Sequence, residues 1–257
     1  MPLLPTTEEL MKRIESRTGR PLVVEVQTLT GTLLSTSRIA RGSDPAHVIR
    51  LDPRVQQDAD YLVTWECLHV LRLFDIPAED RFQLSATADG RAEAGRLVAT
   101  HHKGSNPPIR PDMLSQLANH LYDGLMLQLR SVPIGLRIDA GLRDEYPTLT
   151  EQQRRAIVRQ LNDGAKVLGP DVTRTVPPKL RRASLAINAA FASFWSRAWN
   201  DPTIVVPYRA AGFLVDGETL LHLFDQLSPE PVQDRDLIDA WGKQLGLNGW
   251  YRLATAA

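Results

Sequence analysis

The chain has 257 residues, 43% of them hydrophobic, with 30 Lys and Arg balanced by 30 Asp and Glu. That apolar content supports a buried core rather than disorder, and the zero balance lacks the electrostatic footprint of a dedicated nucleic-acid binder. The single cysteine excludes an intrachain disulfide and a cysteine-based zinc knuckle. No apolar run approaches the roughly 18 residues needed to span a bilayer. The N-terminus turns acidic and amphipathic after five residues, unlike a secretory signal, so a cytoplasmic setting is expected. The short basic cluster Lys179-Leu180-Arg181-Arg182 reads as a solvated helix face.

In chain order, Thr6 followed by Glu9 fits a capping box and predicts a helix over 7–17 that stops at Gly19. The stretches "PLVVEVQTL" and "TLLSTSRIA" read as two strands joined by a tight turn at Thr30-Gly31, and "AHVIRLD" as a third that Asp52-Pro53 ends. Beyond that point the pattern is helical, with candidates over 55–74, 78–101, 111–130, 150–167, 178–199, 217–227 and 234–246. Loops are expected at 101–111 and 169–178. The expected class is α+β and mostly helical: a small N-terminal sheet packed with helices in a domain over 1–168, and a C-terminal helical segment over 178–257 packed on it. Phe191, Phe194, Trp195 and Trp199 form an apolar stripe at helical period, more simply core than a partner face. Trp241 and Trp250 predict a docked tail.

Chemistry concentrates in "DADYLVTWECLHVLRLFDIP", residues 58–77. Trp65-Glu66-Cys67-Leu68-His69 is H-E-x-x-H with tryptophan for the first histidine. Residues 65 and 69 project from one side of a helix, which is why two histidines at that spacing grip one zinc while the intervening glutamate reaches the zinc-bound water. An indole N–H has no lone pair to offer, so Trp65 cannot be a ligand. Glu-x-x-His alone is also what an ordinary core helix produces by chance. Cys67 falls on the apolar stripe and reads as a packed small residue.

In order and content, residues 45–140 resemble the zincin-type metallopeptidases. A short edge strand ("HVIRLD") leads through a loop into the motif helix, which continues apolar past its histidine; further helices come after it. The region is also similar to a bacterial group whose later helix carries a segment like "LANHLYDGLMLQLRSVPIG". The resemblance implies that His69 is a zinc ligand and Glu66 the general base. For the third ligand it leaves two candidates. One is Asp123, four residues after Asn119 on one helical face, as ligand or as supporting partner of a ligand; the other is Glu93 in "DGRAEAGRLVA". His120, His101 and His102 are weaker substitutes for the lost histidine. His47 and His222 read as partly buried or surface residues.

The sequence supports three functional readings. Losing one of three ligands weakens zinc and removes the activated water, which implies an impaired peptidase-like protein that keeps its groove for a peptide or protein partner. The second is an active zinc hydrolase with a substituted ligand. The third is a helical interaction module unrelated to peptidases, with Glu66 paired to an arginine such as Arg72. No phosphate loop, nucleophile elbow or dinucleotide fingerprint is found, and no nucleotide or flavin is implied.

Overall fold

The computed structural model describes residues 3–29 and 34–255. The protein is a mostly helical α+β structure. In chain order come α1 (Pro5–Thr18), β1 (Leu22–Val26), β2 (Ser35–Arg38), β3 (His47–Leu51), α2 (Ala59–Asp75), β4 (Phe82–Ala86), α3 (Ala88–His101), α4 (Pro111–Glu145), α5 (Thr150–Lys166), α6 (Pro170–Thr175), α7 (Pro178–Trp199), α8 (Val206–Ala210), α9 (Leu214–Gln226), α10 (Asp234–Gln244) and β5 (Tyr251–Thr255). Among the described residues, no helix is long and apolar enough to cross a membrane.

The chain forms two compact units. One comprises residues 1–81 and 137–158, the other 82–136 and 159–257, so the division runs through α4 and α5 rather than between residues 168 and 178.

In the first unit α1 begins one or two residues before the expected start, and no capping box forms. Leu4 is the N-cap and Pro5 opens the helix; the Leu4 N–H donates to the Asp60 carboxylate at 2.6 Å. A carboxylate from α2 therefore takes the N-cap N–H that a capping box gives to its glutamate, here Glu9, and it suits the positive end of the α1 dipole. Thr7 is instead buried against Thr64, with their hydroxyls 3.0 Å apart. Gly19 ends the helix at φ 71°, and its N–H caps Glu15 O.

The three expected strands form, but not as a hairpin with an edge strand after it. The order is β1-β3-β2, with β1 parallel and β2 antiparallel to β3. The expected turn at Thr30-Gly31 lies outside the described residues. β3 is central, and four of its five residues are buried, too apolar a run for an edge. Asp52, at its end, is fully buried and fastens the strand to the segment that leads into α2. It accepts from Leu29 N, Arg54 N and the Arg54 guanidinium, which hold its carboxyl far below the usual range.

In the second unit the expected helix over 78–101 is broken: β4 occupies Phe82–Ala86 and pairs antiparallel with β5. Its partner lies far along the chain, so the local pattern carries no sign of it. Thr87 then caps α3, accepting from Gly90 N at 3.1 Å. Gly90 is obligatory here, because a Cβ would lie 2.6 Å from Trp250 Cα. Residues 170–175 form a short helix, α6, where a loop is expected. α4 runs past the expected end at 130, through Pro133. Proline cannot donate to Leu129 and costs about 3 kcal/mol in a helix interior; the burial of Ile134, Leu136, Ile138 and Leu142 offsets that cost. The aromatic stripe is core, as expected: Trp195 is inaccessible, with Phe191, Phe194 and Trp199 around it. Trp241 and Trp250 are buried as well.

Candidate functional site

α2 presents Tyr61, Trp65 and His69 at steps of four residues, so the three rings project from one face. The Trp65 and His69 ring centroids are 5.6 Å apart and tilted by 33°. The indole that replaces the first histidine thus packs beside the second. It also lies near the Asp139 carboxylate and helps hold it down.

Asp139, on the part of α4 that belongs to the first unit, is only 3% exposed. Tyr61 OH donates to its Oδ1 at 2.8 Å, and Gln153 Nε2 from α5 reaches the same oxygen at 3.3 Å and the Asp139 carbonyl at 3.0 Å. Burial pushes the Asp139 carboxyl up to about 7, although these three neighbours pull it partly back. Burial and the neighbouring carboxylate push the Tyr61 phenol well above its ordinary value, so it stays a neutral donor.

Glu66 points elsewhere. It is buried at 4% exposure and accepts from Ser35 Oγ on β2 at 2.8 Å. Cys67 is fully buried, and burial raises its thiol to about 12, so it is a packed residue as expected. His47 is buried as well. Its Nδ1 accepts from Ala40 N at 3.1 Å, which leaves Nε2 to donate to Thr18 Oγ1 at 3.0 Å. A cavity of about 380 Å³ lies at the C-terminal end of α2, lined by Arg17, Phe74, Asp75, Ile76, Pro77 and Arg81. Its arginines serve the fold: Arg81 donates to Ile76 O, stacks on Phe74 and closes the helix end, while Arg17 approaches Asp75.

The remaining candidates belong to the second unit. Asn119 and Asp123 do share a face of α4, as their spacing predicts, and together they clamp Arg91 from α3. Arg91 donates to Asn119 Oδ1 at 3.0 Å and to Asp123 Oδ1 at 2.7 Å, with its guanidinium over the Tyr122 ring. Glu93 accepts from Lys179 Nζ at 2.6 Å and from the Trp250 indole at 3.0 Å. His120 is exposed on α4. His101 and His102 each contact a carbonyl of α6, those of Arg174 and Thr175. Among the described residues, no group of three or more His, Cys, Asp or Glu side chains is placed to hold a metal ion.

Sequence reasoning thus singled out Trp65, Glu66 and His69 but not Asp139, Tyr61 or Gln153. Two signals were available: Tyr61 continues the four-residue spacing of Trp65 and His69, and Asp139 is an acid amid the apolar run "VPIGLRIDAGL". The chain matches no family model, and comparison with curated proteins and with solved structures returns no match.

Proposed function

We propose that the chain is a metallopeptidase-like protein with an altered zinc helix, impaired in hydrolysis, that binds a peptide or protein partner. The observation that carries this reading is the placement of Trp65: an indole, which offers no lone pair to a metal, packs against the His69 ring at 5.6 Å and lies near Asp139. It occupies the place that a first histidine ligand would take. Glu66, the expected base, accepts from Ser35 and is not turned to a shared centre with His69 by any bond described.

The partner reading draws on β2. It pairs with β3 on one side only among the described residues. Asp52 N donates to Leu34 O at 2.9 Å, and antiparallel ladders alternate. Residues 36 and 38 therefore turn their amides to β3, while Ser35 and Ser37 turn theirs to the open edge. An extended peptide can add to such an edge. A cytoplasmic setting belongs to the same proposal.

Metal content of tag-free protein, equilibrated with zinc and desalted, tests the reading. The wild type should retain well under one zinc per chain, and Trp65→His should raise the retained amount. Near one zinc in the wild type, abolished by His69→Ala, would replace this reading with that of an active hydrolase. No gain in Trp65→His would remove the peptidase-like frame and leave an unrelated interaction module.

A further inference from the structure

We propose that Asp139 is a proton-operated latch: protonated, it holds α2, α4 and α5 of the first unit closed around Trp65, and ionised, it favours their opening. The inference concerns the same helix face but does not depend on the peptidase-like reading. Zinc content tests that reading, and proton coupling tests this one.

The geometry is that of a single carboxyl group serving three helices. Tyr61 donates to it from α2 and Gln153 from α5, Trp65 lies near it on α2, and it stands on α4 itself. All three neighbours are neutral. Asp58, just before α2, accepts from Arg155 of α5 at 2.9 Å, and Glu66 accepts from Ser35. His69 packs beside the Trp65 ring, and Arg137 is two residues from Asp139 on α4 and 7% exposed.

An ionised carboxylate is drawn to water, and here it is 3% exposed. In any opened state that admits water, Asp139 returns towards its ordinary value of 3.8, whereas the closed state holds it at about 7. The sign comes from linkage. Between those two values the closed state binds the extra proton, so raising the pH favours opening by about tenfold per unit. The effect levels off once the closed state has also lost its proton. Neutral surroundings are therefore where the latch is poised. Opening it would part the Trp65 indole from Asp139 and uncover the Trp65–His69 face.

Amide hydrogen exchange of α2, corrected for the intrinsic pH dependence of exchange and measured from pH 5 to 8, tests this. The opening constant of α2 amides should rise by one to two orders of magnitude up to about pH 7 and then flatten. Amides of α7 in the second unit should change far less. Asp139→Asn should abolish the pH dependence. His69→Gln should keep it, which separates the carboxyl from an imidazole titrating in the same range. Should Asp139→Asn fail to fold, Tyr61→Phe gives an independent test. It removes a donor that favours the ionised form, so the pH at which opening levels off should move upward. The latch is overturned by a flat profile in the wild type, by an unchanged profile in Asp139→Asn or in Tyr61→Phe, or by equal pH dependence in α2 and α7.

Discussion

Asp139 and Asp123 are both aspartates on α4, yet they live under different rules. Asp139 is buried and takes only neutral donors, so its charge is costly and its proton is retained towards neutrality. Asp123, with its side chain 58% exposed, meets Arg91 in solvent, where the pair adds little. Glu93 is intermediate: partly exposed, bonded to Lys179 and to the Trp250 indole, with Lys179 chiefly holding its carboxyl below the ordinary range. Acids at equal sequence salience can therefore differ in energetic weight, and even in the sign of their pH dependence. For Asp139 the folded value lies above the unfolded one, so its contribution is greatest in acid and is lost as pH rises towards about 7. For Glu93 the folded value is depressed, so its contribution is present above the ordinary carboxylate range and is lost in acid.

Substitutions can break or sharpen this contrast. The largest effect should come from Asp139→Ala, which strips the acceptor from Tyr61 and the side-chain acceptor from Gln153 together. A loss of about 2–4 kcal/mol is expected in urea denaturation at pH 6, and the loss should shrink at pH 8. A loss below about 0.5 kcal/mol at both pH values would show that the buried cluster is slack. Next is Gly217→Ala, which sets a Cβ 2.6 Å from the Ala189 backbone where α9 meets α7. About 1–3 kcal/mol should be lost, placing the second unit's stability in helix packing rather than in its acids. Glu93→Gln keeps an acceptor for the indole and loses only the ionic pair. It should cost under about 1 kcal/mol and be diminished further by salt. Asp123→Asn should move the midpoint least, by under about 0.5 kcal/mol. If Asp123→Asn proves as costly as Asp139→Ala, burial is not what separates them.

Most of the longer helices and the three N-terminal strands were legible because each carries a local signal: apolar period, β-branched runs, Gly19 and Asp52-Pro53 as stops. What stayed hidden depends on distant partners. β4 exists because β5 pairs with it, and the central place of β3 depends on a parallel crossover that no dipeptide announces. The candidate site divides in the same way. The motif helix could be read from 65, 66 and 69, but the acid that faces Trp65 lies more than seventy residues further on, at Asp139. Asp123 and Glu93 had more conspicuous surroundings, and the fold gives each a cation or an indole to hold. Spacing places side chains on a face; it says nothing of what another segment brings to that face.

The interleaving of the two units also sets an order of assembly during synthesis. The first unit has all its parts once residue 158 has been made, whereas the β4–β5 pair joins Phe82–Ala86 to Tyr251–Thr255. Trp250, whose carbonyl accepts from Tyr122 and whose indole reaches Glu93, arrives equally late. Residues 82–136 must wait, with the strand edge of β4 unpaired, while more than a hundred further residues emerge. Such a wait exposes an edge to wrong partners. For this chain, the vulnerable interval in the life of the protein is its birth.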